Sequence, residues 1–566
     1  MNARDLHCSA APATPSEGRW WTPAVTLGFV LIALKLAVLA LPPLGLSPVH
    51  VPGSVPGLPG FEEWRRGMAA EEWLRGPLLP WLDYQQGHFQ GGTLVTIALA
   101  TASFAAFGAS PFAMRLPNLL FDLSGLFALV WLVDRSAGRR AAWIAGAFAA
   151  VASPGYWVVG AAAWASHVES NGQALVLLAV WAHHVFYGGR GPRRAFGLGV
   201  LAGLALWYHY GIALWLGVML VVEAMHAPRR IVSRDMAWRV AGALVGLLPW
   251  FVYNLQYHWA GLGLYGRSAS EHVQLDGAAA WSAFCDLWRE FLPGSTWFPD
   301  LPGVAGSGRA LGFVCLAAAV LAWLGVARHS LAKLRARRAV GAELVFVLQP
   351  PLWMAAYTFS EFHGDPKWAQ GYRYMLAVHP AAWALGGIAL ARLAAHGPRV
   401  ARRVTAVATV AALALTAALV ARLEPQHLAR AFEAPGRNLE SLGRWLYYRR
   451  LDSPEVLVEA ARRLVTERDP VEADVVLYTL GNTLAFQLGL PAPPVADGAR
   501  RVAHDKALSQ AEAARAALAA SVPAEYGPYF APARAGERPW PWAQRDQFWR
   551  QWDRRGGGRP PGAYAR

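Results

Sequence analysis

Residues 61–92, FEEWRRGMAAEEWLRGPLLPWLDYQQGHFQGG, set Glu62, Glu63, Glu71, Glu72, Asp83 and His88 among tryptophans. Two later segments carry related residue types. AAAWASHVESN holds His167 and Glu169, and SEFHGDPKWAQGYRYM holds Glu361, His363, Asp365, Lys367, Tyr372 and Arg373. A carboxylate suits the removal of a proton from an incoming hydroxyl. An arginine fork assisted by lysine suits a phosphate leaving group. Each residue also has a plainer role open to it. Glu62 and Glu63 suit a solvated loop, His167 a structural hydrogen bond beside Trp164, His88 a turn between glycines, and Arg373 snorkelling to lipid headgroups. These segments lack HxxxH and CxxC spacings, so no zinc site is expected. No phosphate-cradling glycine pattern follows a strand, and no cofactor is expected.

The elements that position these residues are apolar runs. Of 566 residues, 55% are hydrophobic and 16% charged, against about a quarter charged in soluble domains. Runs bounded by charge fall near 22–43, 117–133, 141–159, 172–187, 195–208, 210–226, 240–254, 309–327, 343–359, 375–391 and 404–421. The fold class is therefore an all-α polytopic membrane protein of about 11 transmembrane helices, at about 20 apolar residues per crossing. A large first outer loop (44–116) carries surface helices. Arginines gather after every second run, as in Arg135, Arg139 and Arg140, or Arg229, Arg230 and Arg234. The segment 160–171 has no basic residue, and 360–374 has only Lys367 and Arg373. Basic loops face the cytoplasm. The alternation works with a cytoplasmic N-terminus if the further apolar run 92–107 lies along the surface; if that run crosses, the first loop faces the cytoplasm instead.

Three regions follow: a cytoplasmic tail (1–21), the polytopic domain (22–421) and a small, mainly helical extracytoplasmic region (422–566). In the last region, 475–490 is expected to form a buried helix and the tail from about 554 to be disordered. The net charge of +15 is read as cytoplasmic loop charge, with no nucleic-acid partner. Cys8, Cys285 and Cys315 form no disulfide or metal pattern. The first run reads as an uncleaved signal anchor, and the Ala, Arg and Gly usage suggests a bacterial inner membrane.

Lys35 and Asp122 stand deep inside the first two runs, where charge is expensive. Both fall roughly 8–12 Å below the outer surface of a ~30 Å core, at matched depth for an ion pair. Of the 27 tryptophans, most suit interfacial belts, while Trp64, Trp73, Trp81 and Trp297 also suit stacking on sugar rings.

The run from FEEW through GHFQGGTLVTIALATASFAAFGASPFAMRLPNLL resembles the first outer loop of polyprenyl-phosphate-dependent membrane glycosyltransferases of superfamily C. That branch holds the protein O-mannosyltransferases and the aminoarabinose transferase that modifies lipid A. GYRYMLAVHPAA resembles a late phrase of the same family, and the likeness spans about residues 20–395. Glu62 stands where the family has Asp, and Gln86-Gly87-His88 replaces its usual Lys or His-Pro-Pro. The resemblance implies an inverting transferase that moves a sugar from a polyprenyl-phosphate donor to a lipid, glycan or protein acceptor at the outer face of the membrane. It also implies that Glu62, Glu63 and Glu169 are catalytic, and that His88, His167, Lys367, Tyr372 and Arg373 bind substrate. Two other classes stay open. One is a multi-pass transporter or flippase of a lipid-linked or small anionic substrate, using Lys35, Asp122 and Glu169. The other is a non-catalytic lipid-glycan binder.

Overall fold

The computed structural model describes residues 21–40, 60–77, 80–85, 91–109, 111–161, 167–188, 191–257, 259–264, 267–268, 273, 276–296, 298, 300, 304–336, 341–360, 374–396, 454–467 and 498–531, with isolated positions between 403 and 484. Within these, the helices are α1 (Trp21–Ala40), α2 (Gly60–Arg75), α3 (Gly92–Phe107), α4 (Pro111–Ala137), α5 (Arg139–Ala150), α6 (Pro154–Ala161), α7 (His167–Phe186), α8 (Pro192–Tyr208) and α9 (Ile212–His226). They continue with α10 (Arg234–Gly246), α11 (Leu248–Gln256), α12 (Gly277–Asp286), α13 (Leu292–Gly294), α14 (Ser307–Arg335), α15 (Glu343–Thr358), α16 (His379–His396), α17 (Pro454–Glu467) and α18 (Gly498–Ser521). The strands among the described residues form one two-residue hairpin, Gly263–Leu264 against Arg267–Ser268. All-helical architecture is thus as expected.

Several apolar runs are interrupted. The run 141–159 divides into α5 and α6 around Ala152 and Ser153, because Pro154 lacks an N–H and starts a helix rather than continuing one. The run 240–254 bends by 46° between α10 and α11, with Pro249 in the first turn after the break. Among the described residues, three helices are long and apolar enough to cross a membrane: Phe112–Ala137, Ser307–Arg335 and Leu376–Ala395. The bent pair makes a fourth, and Thr22–Leu36, Gly92–Phe107 and Ile212–His226 are shorter apolar helices. Length and composition therefore do not return eleven spans among the described residues. Most of the run 404–421 lies outside them.

The chain forms two compact units. One comprises 1–58, 87–95 and 115–425, and the other 59–86, 96–114 and 426–566. In the first, α8 and α10 make the most intimate crossing. Gly199 and Gly203 of GLGVLAG face Gly242 and Gly246 of AGALVG. A Cβ on Gly203 would stand 2.2 Å from the Ala243 carbonyl oxygen, and one on Gly242 would stand 2.1 Å from that of Phe196. Small residues at fourfold spacing let the two backbones touch, the usual means of joining helices in lipid, where apolar contact alone gives no advantage over lipid tails. α4 and α7 meet similarly at Gly125 and Gly172. Gly138, at φ +88°, reverses the chain between α4 and α5 in a conformation that glycine adopts without strain.

In the second unit, α17 buries Leu457, Ala460, Ala461 and Leu464 at the i, i+3, i+4, i+7 spacing of a core-facing stripe. α18 packs beside it, burying Ala511, Ala514 and Leu518. The described positions within 473–484 are helical and buried, including Val476, Leu477, Leu480 and Leu484, in keeping with the helix expected over 475–490. Of the segment 44–116, residues 59–86 and 96–114 belong to this unit and the rest to the first. Arg463 Nη1 donates to the Pro77 carbonyl at 2.6 Å, and Thr101 Oγ1 of α3, which donates to the Ile97 carbonyl at 2.8 Å, lies 3.3 Å from the Ala70 carbonyl oxygen of α2.

Candidate active site

In the first unit, the described end of the second segment, His167–Asn171, meets Tyr374 and Leu376, at and just beyond the end of the third, at the start of α7. His167 is buried, its ring edge-on to Tyr374 (centroids 4.9 Å apart) and to His209 (5.5 Å). The His209 Nδ1 accepts the Gly211 N–H at 3.1 Å, so in the neutral ring the proton sits on Nε2. Glu169 lies in the first turn of α7 and is fully buried. The partial positive charge of that helix end favours a carboxylate there.

The chain entering α16 is irregular, a 3-10 turn over Leu376–Val378. Carbonyls left without regular helical partners in lipid must be met from elsewhere. Trp353 Nε1 donates to the Tyr374 carbonyl at 3.0 Å, Asn171 Nδ2 to Leu376 at 3.0 Å and Gln349 Nε2 to Ala377 at 3.0 Å. Three side chains from α7 and α15 thereby fix the segment directly after Arg373. Asn171 lies two residues beyond Glu169, so one helix turn carries both the carboxylate and the anchor of the neighbouring strand of chain.

A narrow cleft, with about 20 Å³ of room for water, is lined by Lys35, Asp122, Tyr156, Trp157, Gly125 and Gly172, among others. Lys35 and Asp122 are paired and buried, as their matched depths suggest. Lys35 also stands 5.6 Å from the Trp157 ring. Tyr156 is buried and lines the same cleft. His379 stacks on Tyr156 with centroids 5.9 Å apart. Ser295 Oγ donates to the Leu292 carbonyl at 2.7 Å, so toward His379 Nε2, 3.0 Å away, it acts as acceptor. A second cavity, apolar, with about 710 Å³ of atom-free space, is lined by residues of α14, α15 and α16 such as Leu316, Trp323, Pro351, Met354 and Leu385.

The opposite end of α7 carries a charged clamp. Arg239 donates Nη1 to Glu223 Oε2 (2.6 Å) and Nη2 to Glu223 Oε1 (2.7 Å), and Nη2 also reaches Asp235 at 3.3 Å. Trp181 Nε1 donates to Glu223 Oε2 at 3.2 Å, and His184 Nε2 donates to Asp235 at 2.5 Å.

The sequence-derived site residues fare unequally. His167 and Glu169 come together with the entry to α16. Glu62 and Glu63 lie on α2, with side chains outside the described residues. His88, Lys367, Tyr372 and Arg373 lie outside the described residues altogether. Tyr374, His209, Asn171, Tyr156 and His379 escaped the sequence analysis. Lone aromatic or polar residues within apolar runs give no spacing signal, although His379 does sit inside the GYRYMLAVHPAA phrase.

No family model and no curated protein matches this chain. Solved structures to which it is similar include ArnT from Cupriavidus metallidurans bound to undecaprenyl phosphate, at 18% identity over 86% of this chain and 84% of that one, with a TM-score of 0.46. Another is the oligosaccharyltransferase AglB from Archaeoglobus fulgidus in complex with an inhibitory peptide and a dolichol-phosphate, at 12% identity over 74% and 58%, with a TM-score of 0.44. The apo form of the Archaeoglobus fulgidus oligosaccharyltransferase aligns at 11% identity over 88% and 71%, with a TM-score of 0.46. At these values no residue role passes from one chain to the other.

Proposed function

We propose that the chain is an inverting glycosyltransferase of a bacterial inner membrane, taking a sugar from a polyprenyl-phosphate donor at the outer face. The observation that carries this reading is the convergence of His167 and Glu169 with the pinned segment Tyr374–Val378, which directly follows Arg373. Glu62, or Glu63 beside it, removes the proton of the acceptor hydroxyl. The hydroxyl oxygen attacks the anomeric carbon from the face opposite the phosphate. The bond from that carbon to the phosphate oxygen breaks, and the electron pair leaves with the lipid phosphate. Arg373, with Lys367 and His88, steadies that charge. Glu169, His167 and Tyr372 orient donor or acceptor. The apolar cavity between α14, α15 and α16 suits a hydrocarbon chain of the donor. The acceptor is a lipid, glycan or protein.

The test is transfer from a synthetic polyprenyl-phosphate sugar by purified protein in nanodiscs. Glu62→Gln is nearly isosteric and should lower turnover by about 10²-fold or more, with Glu63→Gln doing less. Wild-type turnover in both variants excludes this loop from catalysis.

The paired Lys35 and Asp122 beside a cleft that Tyr156 also lines favour a second reading. In it the chain moves a lipid-linked or small anionic substrate across the membrane. Flux of a fluorescent polyprenyl-phosphate sugar across proteoliposomes, in the absence of transfer, would select it.

A further inference from the structure

The second unit presents an exposed aromatic platform that the transfer chemistry does not use. α2 ends at Arg75, and Gly76, at φ +103°, turns the chain back as a glycine following a helix commonly does. The returning chain makes a 3-10 turn at Trp81–Tyr84 after Pro80. The Trp81 ring then lies over that of Trp73, with centroids 4.8 Å apart and planes inclined by 32°. Trp73 in turn receives the edge of Tyr84 at 5.9 Å, and Tyr84 is fully buried. The outermost ring, Trp81, is 65% exposed. A large ring packed on a second that is itself braced by a third, but left facing solvent, forgoes its own burial while losing freedom to move, the arrangement of a preorganised contact surface.

The rim supplies polar groups. Arg463 is held against the loop by its bond to the Pro77 carbonyl, and its guanidinium lies 3.9 Å from the position a Cβ on Gly76 would take. It makes a two-pronged pair with Glu467, 3.0 Å on each side. Both members are partly exposed, beside the Gly76–Pro77 turn that leads into the platform. A sugar matches this surface. Its axial C–H bonds carry slight positive charge and pack on the negative face of an indole. Its vicinal hydroxyls each need a donor or acceptor, which a planar guanidinium and carboxylate provide. A lipid headgroup layer matches it less well. Helices lying in an anionic interface are rich in Lys and Arg, whereas α2 carries more carboxylates than arginines.

We infer that Trp81, backed by Trp73 and flanked by Arg463 and Glu467, is a carbohydrate-binding subsite. The inference stands without the transferase reading, because it predicts binding in the absence of turnover. The test uses the full chain in nanodiscs on a printed array of α- and β-linked bacterial and plant-type oligosaccharides. In parallel, the fluorescence difference between wild type and Trp81→Phe is recorded in bilayers with brominated acyl chains. Wild type should bind at least one class of glycan. Trp81→Ala should weaken that binding tenfold or more, and Trp81→Phe, which keeps a flat ring, by threefold or less. Far-UV dichroism and thermal midpoint should be unchanged in both, because an exposed ring contributes little to folding. Three results would overturn the inference: no glycan bound by wild type, equal binding by Trp81→Ala, or quenching of Trp81 by brominated lipid, which would make it a membrane anchor.

Discussion

The two ends of α7 are built on opposite plans. At its C-terminal end, Trp181 and His184 join a clamp in which Glu223 receives three donors and Arg239 spans two carboxylates. Such a set ties α7, α9 and α10 together and leaves its carboxylate oxygens already engaged. At its N-terminal end, His167 is held by the edges of two rings, and Asn171 caps a carbonyl of the chain entering α16. There the side-chain hydrogen bonds fix the backbone that follows Arg373. Buried ion pairs that satisfy one another hold structure; polar groups whose neighbours are themselves rigidly placed suit a site for something brought in.

The largest effects should fall on the clamp. Arg239→Ala leaves Glu223 buried without its main partner and should destabilise the protein by about 3–5 kcal/mol, seen as loss of monodisperse protein in detergent. Rescue by the double variant Arg239→Met/Glu223→Leu would sharpen the structural assignment. The Lys35–Asp122 pair obeys the same logic. Either single change to Leu should lower the thermal midpoint more than the charge swap Lys35→Asp/Asp122→Lys does. A swap no better than the worse single change would show that the pair contributes nothing.

Those two clusters differ in how far the sequence reveals them. The Lys35–Asp122 pair is legible because each charge interrupts an apolar run and the helical rise gives both depths. Glu223 interrupts the run 210–226 in the same way, yet its partner lies 16 residues on in an arginine-rich stretch. There, Arg239 looks like one more cytoplasmic charge. The facing glycines of α8 and α10 stand in plain view as two small-xxx-small pairs, but apolar periodicity does not say which helices touch. Charge alternation leads one to expect 160–171 and 360–374 on one side of a membrane, and the contact of His167 with Tyr374 is compatible with that. The pinning of Tyr374, Leu376 and Ala377 does not follow from it, since it depends on side chains from two other helices. The join made by Arg463 and Pro77 links residues 386 apart in the sequence and leaves no local signal.

Smaller effects test the framework around the N-terminal end. Gly203→Ala forces a methyl against the Ala243 carbonyl and should cost about 1–3 kcal/mol by overpacking, read from a thermal melt. Asn171→Ala leaves the buried Leu376 carbonyl without its donor and should cost about 1–3 kcal/mol, while slowing transfer because the segment after Arg373 loosens. The smallest effect is a pH dependence. The Asp300 carboxyl accepts the N–H groups of Gly306 and Gly308 at the start of α14, and these backbone bonds hold its pKa below the ordinary carboxylate value. A lowered folded pKa gives stability that is present above about pH 4 and is lost as pH falls through the folded value. Hydrogen exchange in the first turn of α14 should therefore quicken in acid in the wild type and change less in Asp300→Asn.

The contrast between the two ends of α7 is tested most directly by one pair of isosteric changes, Glu169→Gln and Glu223→Gln, each carried through thermal unfolding and transfer from a synthetic polyprenyl-phosphate sugar in nanodiscs. Glu169→Gln should keep its thermal midpoint and lose tenfold or more of the transfer efficiency. Glu223→Gln should lose midpoint while its remaining folded fraction transfers normally. Wild-type transfer in Glu169→Gln, or a larger loss of folding there than in Glu223→Gln, would contradict the assignment of function to one end and structure to the other.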